Sequence, residues 1–177
     1  MKTTLILAFL YLISAEGRKN TKTCMEYLFS IEDVKAVEKP DSLFTLDLIE
    51  KGNSVRILGP KGSDFSLPEG GDTVSIYKKG DFNADGKKDI MVSLGACGTG
   101  GCMYALFLNQ SGRKYNMAFY EYLKNPVFKI EKDGLWTIKS YEGIEPYNPS
   151  KLHVSVYKYN PKKMNYGLHK TFVQLDE

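Results

Sequence analysis

One short segment of the chain, DFNADGKKD at residues 81–89, carries oxygen-bearing side chains at a regular spacing. The side chains at its first, third, fifth and ninth positions are Asp81, Asn83, Asp85 and Asp89. Calcium takes about six to eight oxygen ligands, and a loop coiled around the ion turns alternate side chains inward. Gly86 permits the sharp turn, and the carbonyl oxygen of Lys87 would be a further ligand. The spacing therefore predicts a Ca²⁺ site in this loop.

The surroundings of the loop differ from those of the helix–loop–helix calcium sites. Those sites end in a Glu at the twelfth position, whereas here that position is Val92, inside an apolar run. The loop follows one predicted strand and ends in another. The alternative interpretation is a turn that only joins two strands, but four acceptor side chains that converge without a cation would repel one another. We therefore favour the ion site.

The segment Gly80 to Leu94, GDFNADGKKDIMVSL, resembles the calcium loop of FG-GAP or VCBS-type repeats. Such repeats occur in integrin α-chain propellers and in many exported bacterial proteins. The resemblance implies side-chain ligands at four positions and a carbonyl ligand at a fifth, namely Asp81, Asn83, Asp85, Asp89 and, through its carbonyl, Lys87. Propeller blades come in series, and the sequence contains one such loop. A full propeller is therefore not expected.

A glycine-rich segment with two cysteines follows the next predicted strand, at residues 95–102. In an exported chain, Cys97 and Cys102 are expected to form a disulfide that tightens a hairpin loop. A phosphate-binding loop is disfavoured because no GK[ST] sequence follows and the next element is a strand. Two cysteines and two histidines also make a zinc site improbable. We interpret this segment as a partner-binding loop, with Gly98, Thr99, Gly100, Gly101 and Met103 as its contact residues.

The third cysteine, Cys24, has no assigned partner. Pairing with Cys97 or with Cys102, a free thiol and a bridge to a second molecule all remain open.

The body of the chain alternates apolar and polar residues with a period close to two, which is typical of β-strands. The predicted strands are 43–49, 54–58, 73–77, 90–94, 103–109, 114–122, 127–131, 135–140, 152–159 and 168–174. Short turns rich in Gly, Asn, Asp and Pro separate several of them, as hairpins require. One short helix is predicted between Cys24 and Val37. The fold class is mainly β: an antiparallel sheet, sandwich or curled meander with a short N-terminal helix.

The first residues have the pattern of an export signal. A basic start, the apolar run Leu5 to Ile13 and the small residues Ser14 and Ala15 have the order of a signal peptide. The predicted organisation is a signal peptide at 1–15, a polar lead-in at 16–23 and one β-rich domain at 24–177. The run is too short for a stable membrane span. The predicted location is therefore periplasmic or secreted.

Composition limits the function classes. The chain of 177 residues has 24 basic and 21 acidic side chains, and its formal charge of +3 is too small to indicate nucleic acid as a partner. No known catalytic motif is present, so we predict a non-catalytic binding module with a protein or polysaccharide partner at the cell envelope. Two alternatives are a periplasmic inhibitor or immunity-type protein against a cell-wall hydrolase, and a hydrolase of wall polymers. Six aromatic residues between Trp136 and Tyr166 either bind sugar or peptide or pack on the sheet.

Overall fold

The computed structural model describes residues 42–49, 52–145 and 148–175. The predicted signal peptide, the polar lead-in, the short helix and Cys24 lie outside these ranges. Within them, no helix is long and apolar enough to cross a membrane.

The described residues form ten strands, all antiparallel to their neighbours. The strands are β1 Phe44–Ile49, β2 Ser54–Leu58, β3 Thr73–Gly80, β4 Asp89–Gly98, β5 Gly101–Ser111, β6 Lys114–Leu123, β7 Val127–Ile130, β8 Trp136–Glu145, β9 Asn148–Asn160 and β10 Asn165–Leu175. The predicted mainly β fold is confirmed. Most strands are longer than the sequence predicts, because pairing continues into the glycine-rich and polar ends of the segments.

Strands β1 to β6 pair in sequence order and close into a barrel, the curled form of a meander. The closing contact is short, since β1 pairs with β6 only at Phe44–Tyr115 and Thr45–Lys114. Next to it, the backbone N–H of Leu46 donates to the carbonyl of Arg113, at 3.0 Å. Closure leaves few free strand edges in this part of the molecule.

Strands β7 to β10 form a second sheet of four strands in the order β10-β9-β8-β7. This sheet packs on one side of the barrel, and the two meet through strands β4, β5 and β6. Alternate residues of β4 belong to different cores: Ile90 and Val92 face the barrel interior, and Met91 faces the second sheet. Because both faces of β4 are covered, its sequence reads as a continuous apolar run instead of an alternating one.

The long loop between β2 and β3 covers part of the barrel. Its Leu67 is buried in the barrel core, and the ring of Phe65 meets that of Phe44 edge to face, with 4.9 Å between the centroids. Further along the loop, a carboxylate oxygen of Glu69 accepts the backbone N–H of Ala96 on β4, at 2.5 Å. These contacts fix the loop across the barrel.

Candidate calcium site

The loop between β3 and β4 is folded around the side chain of Asp81. Its two carboxylate oxygens accept the backbone N–H groups of Asp85 and Gly86, at 3.0 Å and 2.8 Å. Gly86 has a φ of 82°, and Ala84 also lies in the left-handed region, with a φ of 58°. One oxygen of Asp85 accepts the N–H of Lys87, at 2.9 Å. The chain therefore turns tightly about the first acidic residue, as a cation-binding loop requires.

Asn83 carries the most informative atom of the loop. Its side-chain N–H donates to the second oxygen of Asp85, at 3.1 Å. Its amide oxygen is inaccessible to solvent and has no hydrogen-bond partner. A buried acceptor without a donor costs free energy, and a cation would give it a partner. This atom and the two neighbouring carboxylates fit a hard cation such as Ca²⁺.

Asp89 has a second, structural role. Its side chain is fully buried, and its two oxygens accept the backbone N–H groups of Phe82 and Asn109, both at 2.8 Å. Burial raises the pKa of this carboxyl to about 6, and the negative charges of Asp85 and Asp81 add to the rise, although the two N–H groups oppose it. The three carboxylates are thus close enough to repel one another, which a divalent cation would relieve.

Asp89 is committed to the backbone and not free to turn. Within the described ranges, no three His, Cys, Asp or Glu side chains are arranged as a ready metal cluster. The predicted ligands of a cation in this loop are Asp81, Asn83, Asp85 and Asp89 with the carbonyl of Lys87, and Asp81 and Asp89 each also accept two backbone N–H groups. The ammonium of Lys87 lies 3.8 Å from Asp85, and both side chains are partly exposed, so this ion pair is weak.

The loop is also the joint between the barrel and the second sheet. The carbonyl of Phe82 accepts the hydroxyl of Tyr166 on β10, at 2.6 Å, and the backbone N–H of Trp136 on β8, at 3.2 Å. The buried Phe82 ring stacks on the indole of Trp136, with 4.7 Å between centroids. Whatever fixes this loop therefore fixes the position of the second sheet.

The disulfide hairpin lies at the other end of strand β4. Cys97 and Cys102 are bonded as predicted, and Gly98 pairs with Gly101 across the turn. Strand β4 begins at Asp89, and its residues up to Cys97 span roughly 25 Å at the usual rise of a strand. The two features that are adjacent in sequence are thus separated by a strand and do not form one local site.

The predicted contact residues of the hairpin divide into two groups. Gly98, Thr99 and Gly100 are exposed at its tip. Gly101 has a φ of 109°, and a Cβ there would lie 2.2 Å from the carbonyl oxygen of Leu123, so the hairpin packs closely on β6. Met103 is partly buried against the barrel core, which makes it a packing residue.

Two exposed tyrosines on β6 lie beside this hairpin and were not predicted from the sequence. Tyr122 pairs with Met103, and Tyr120 pairs with Ala105. Their exposed fractions, 51% and 40%, are high for large aromatic side chains. A local signal in the sequence is the charged Glu121 between the two tyrosines, and all three of these residues are exposed.

Four of the six aromatic residues between Trp136 and Tyr166 do not form an open surface. Trp136, Tyr157, Tyr159 and Tyr166 pack with the core between the second sheet and the barrel. Burial raises the pKa of the Tyr166 hydroxyl well above its ordinary value of 10. For these four residues packing on the sheet is the correct interpretation. Tyr141 is half-buried on β8, and Tyr147 lies outside the described ranges.

Comparison with protein-family models, with curated proteins and with solved structures finds no match to this chain. Its function must therefore be argued from the loop and the hairpin.

Proposed function

We propose that this protein is an exported, non-catalytic binding module whose β domain is stabilised by one calcium ion in loop 81–89. The observation that carries the proposal is the buried amide oxygen of Asn83, which lacks a donor inside a loop that also holds Asp81 and Asp85. Export is proposed from the N-terminal sequence, and millimolar free calcium outside the cell would keep such a site loaded.

The proposed role of the ion is structural. An ion that binds the folded loop and not the unfolded chain stabilises the fold by RT ln(1 + [L]/Kd), about 2.7 kcal/mol at a hundredfold excess over Kd. The bound ion would offset the repulsion among the three carboxylates. Because Phe82 joins this loop to Tyr166 and Trp136, the bound ion would also stabilise the packing of the second sheet on the barrel.

The proposed partner surface is the tip of the disulfide hairpin with the two tyrosines beside it. Thr99 and the neighbouring glycines present backbone groups, and Tyr120 and Tyr122 offer flat rings with a polar hydroxyl. Tyrosine suits both protein and polysaccharide partners, because it buries apolar area and also hydrogen-bonds. The distance between this surface and loop 81–89 means that calcium would act through stability of the domain, without touching the partner.

Thermal unfolding with calcium and with excess chelator tests the ion site. We expect calcium to raise the Tm by several degrees, and Asp85→Ala to remove that difference. Asp64→Ala, at an exposed aspartate of the loop between β2 and β3, is the matched control and should keep it. Equal melting curves for the unaltered protein with and without calcium would refute the proposal.

Binding to purified cell-wall polymer and to wall hydrolases separates the candidate functions. A binding module would sediment with its partner and lose it in Tyr122→Ala, whereas an inhibitor would reduce the rate of a hydrolase at equimolar amounts. Release of soluble sugars or peptides by the protein alone would instead identify an enzyme and contradict the proposal.

A further inference from the structure

A basic concavity lies at the turn that joins β9 to β10. Three lysines and one histidine line it, namely Lys158, Lys162, Lys163 and His169. In the described part of the chain, no Asp or Glu side chain lines this concavity, and none of these four residues forms an ion pair. The ammonium groups therefore give the concavity a positive potential, which attracts anions.

Polar contacts fix the backbone of the turn that carries two of these lysines. The side-chain oxygen of Asn160 accepts the backbone N–H groups of Lys162 and Lys163, at 3.0 Å and 3.3 Å. The side-chain amide of Asn116 on β6 donates to the carbonyl of Met164, at 2.9 Å, and so joins the turn to the barrel. A ligand that binds the two lysines therefore does not have to order the backbone, which lowers the entropic cost of binding.

Gly167 leaves the space beside Lys158 open. The two residues pair across β9 and β10, and a Cβ added to Gly167 would meet no atom within 4 Å. The volume of the concavity is about 560 Å³. This is within the range of sites for organic molecules and much larger than a single inorganic ion needs.

The lining of the concavity fits an acidic sugar better than a nucleic acid. Ammonium groups donate strong hydrogen bonds to carboxylates, and the amide side chains of Asn160 and Asn165 suit hydroxyl groups. Tyr159, the tyrosine of the lining, is half-buried and packs on Tyr166, with 5.6 Å between the ring centroids. It therefore does not offer the open ring on which a nucleobase would stack.

We propose that this concavity binds an oligosaccharide that carries carboxylate groups, with Lys162 and Lys163 as its main anion-binding residues. Lys158 also lines a smaller cavity with Glu131 and Asp133, so its charge is partly offset. The inference rests on the proposed function in that it names a class of polysaccharide partner. It depends neither on calcium nor on the tyrosines beside the disulfide hairpin, because β9 and β10 carry the site.

Calorimetric titration with a decasaccharide of galacturonic acid tests the proposal. The buffer is free of calcium, because the carboxylates of the sugar would also bind that ion. We expect saturable binding, and Lys163→Glu should raise the dissociation constant by at least about tenfold, since an ammonium donor is replaced by a like charge. Lys61→Glu, at an exposed lysine of the loop between β2 and β3, changes the net charge equally and should have less than about a twofold effect.

Gly167→Leu tests whether the sugar lies in the concavity, because it fills the space beside Lys158 without changing any charge. The added side chain meets no neighbour within 4 Å at its Cβ, and this glycine has no left-handed φ, so the variant should fold. It should weaken binding of the decasaccharide by at least about tenfold. Tyr122→Ala should leave this binding unchanged, which separates the concavity from the proposed surface at the disulfide hairpin.

Two further probes identify the ligand class. The methyl-esterified decasaccharide has no charge, and a single-stranded DNA of equal charge has bases in place of hydroxyl-rich rings; each should bind at least about tenfold more weakly. The proposal is overturned by absence of binding to the acidic decasaccharide, or by equal binding of either further probe. A dissociation constant that Lys163→Glu or Gly167→Leu leaves unchanged would also overturn it.

Discussion

Gly101 fixes the disulfide hairpin against strand β6, and replacing it with alanine should be costly. A Cβ at this position would lie 2.2 Å from the carbonyl oxygen of Leu123 and 2.6 Å from its carbonyl carbon. These are backbone atoms, so they cannot rotate away as a flexible side chain can. The φ of 109° also falls in a region that residues other than glycine rarely adopt.

The two effects together set the magnitude for Gly101→Ala. Backbone strain of this type costs about 1 to 3 kcal/mol, and overpacking costs a similar amount. We therefore expect a loss of at least about 2 kcal/mol in the free energy of unfolding, which lowers the Tm by at least about 4 °C in a domain of this size. Urea unfolding followed by the fluorescence of Trp136 measures the loss directly.

Gly100→Ala is the matched control. No atom lies within 4 Å of the Cβ that it would add, and this glycine has no left-handed φ. Its free energy of unfolding should stay within about 0.5 kcal/mol of the unaltered protein. If Gly101→Ala is as stable as Gly100→Ala, the hairpin does not pack on β6 as described, and the proposed partner surface loses its rigid base.

Two further predictions concern contacts that hold the sheets and the covering loop. Burial raises the pKa of the Tyr166 hydroxyl above 10, so above pH 10 the folded state keeps a proton that the unfolded state loses. The contribution of this group to the free energy of unfolding is therefore fully present below pH 10 and falls above it by about 1.4 kcal/mol per pH unit. In Tyr166→Phe, the free energy of unfolding measured in urea should decline less steeply between pH 10 and 11. At pH 7 the variant should be less stable by about 1 to 2 kcal/mol, because two hydrogen bonds are lost. An equal slope in both proteins would contradict the burial of this hydroxyl. Glu69→Ala removes the acceptor of the Ala96 N–H and should speed protease cleavage in the loop between β2 and β3 several-fold. Asp64→Ala, in the same loop, should leave the cleavage rate unchanged. Equal cleavage rates in the two variants would show that Glu69 does not hold the loop.

Local signals were sufficient to predict the strands. Alternating residues and turn sequences such as Asp133-Gly134 act over a few positions, and the strands from β1 to β10 follow from them. The disulfide between Cys97 and Cys102 was predictable for the same reason, because its two residues flank one turn.

Long-range contacts were not predictable from the sequence. Closure of the barrel depends on the pairing of Phe44 with Tyr115, which are far apart along the chain. The division into a barrel and a second sheet likewise depends on which face of β4 meets which core. The distance between loop 81–89 and the hairpin could not be predicted from their closeness in the sequence, because an extended strand rises about 3.3 Å per residue.

Asp89 depends on both local spacing and long-range contacts. Its spacing from Asp81 predicts a calcium ligand, and this remains a prediction. Its contacts with the N–H groups of Phe82 and Asn109 depend on the approach of β5, which local spacing does not contain. An Asp directly before the apolar run Ile90 to Val92 nevertheless indicates a buried carboxylate that needs such donors.

Calorimetric titration of calcium into the chelator-treated protein is the most direct test of the central claim. We expect one ion per chain, loss of binding in Asp85→Ala, unchanged binding in Asp64→Ala, and a Kd that reproduces the calcium-induced gain in stability through the linkage relation. Absence of a binding isotherm at millimolar calcium, or an isotherm that Asp85→Ala leaves unchanged, would contradict the claim that loop 81–89 holds the ion.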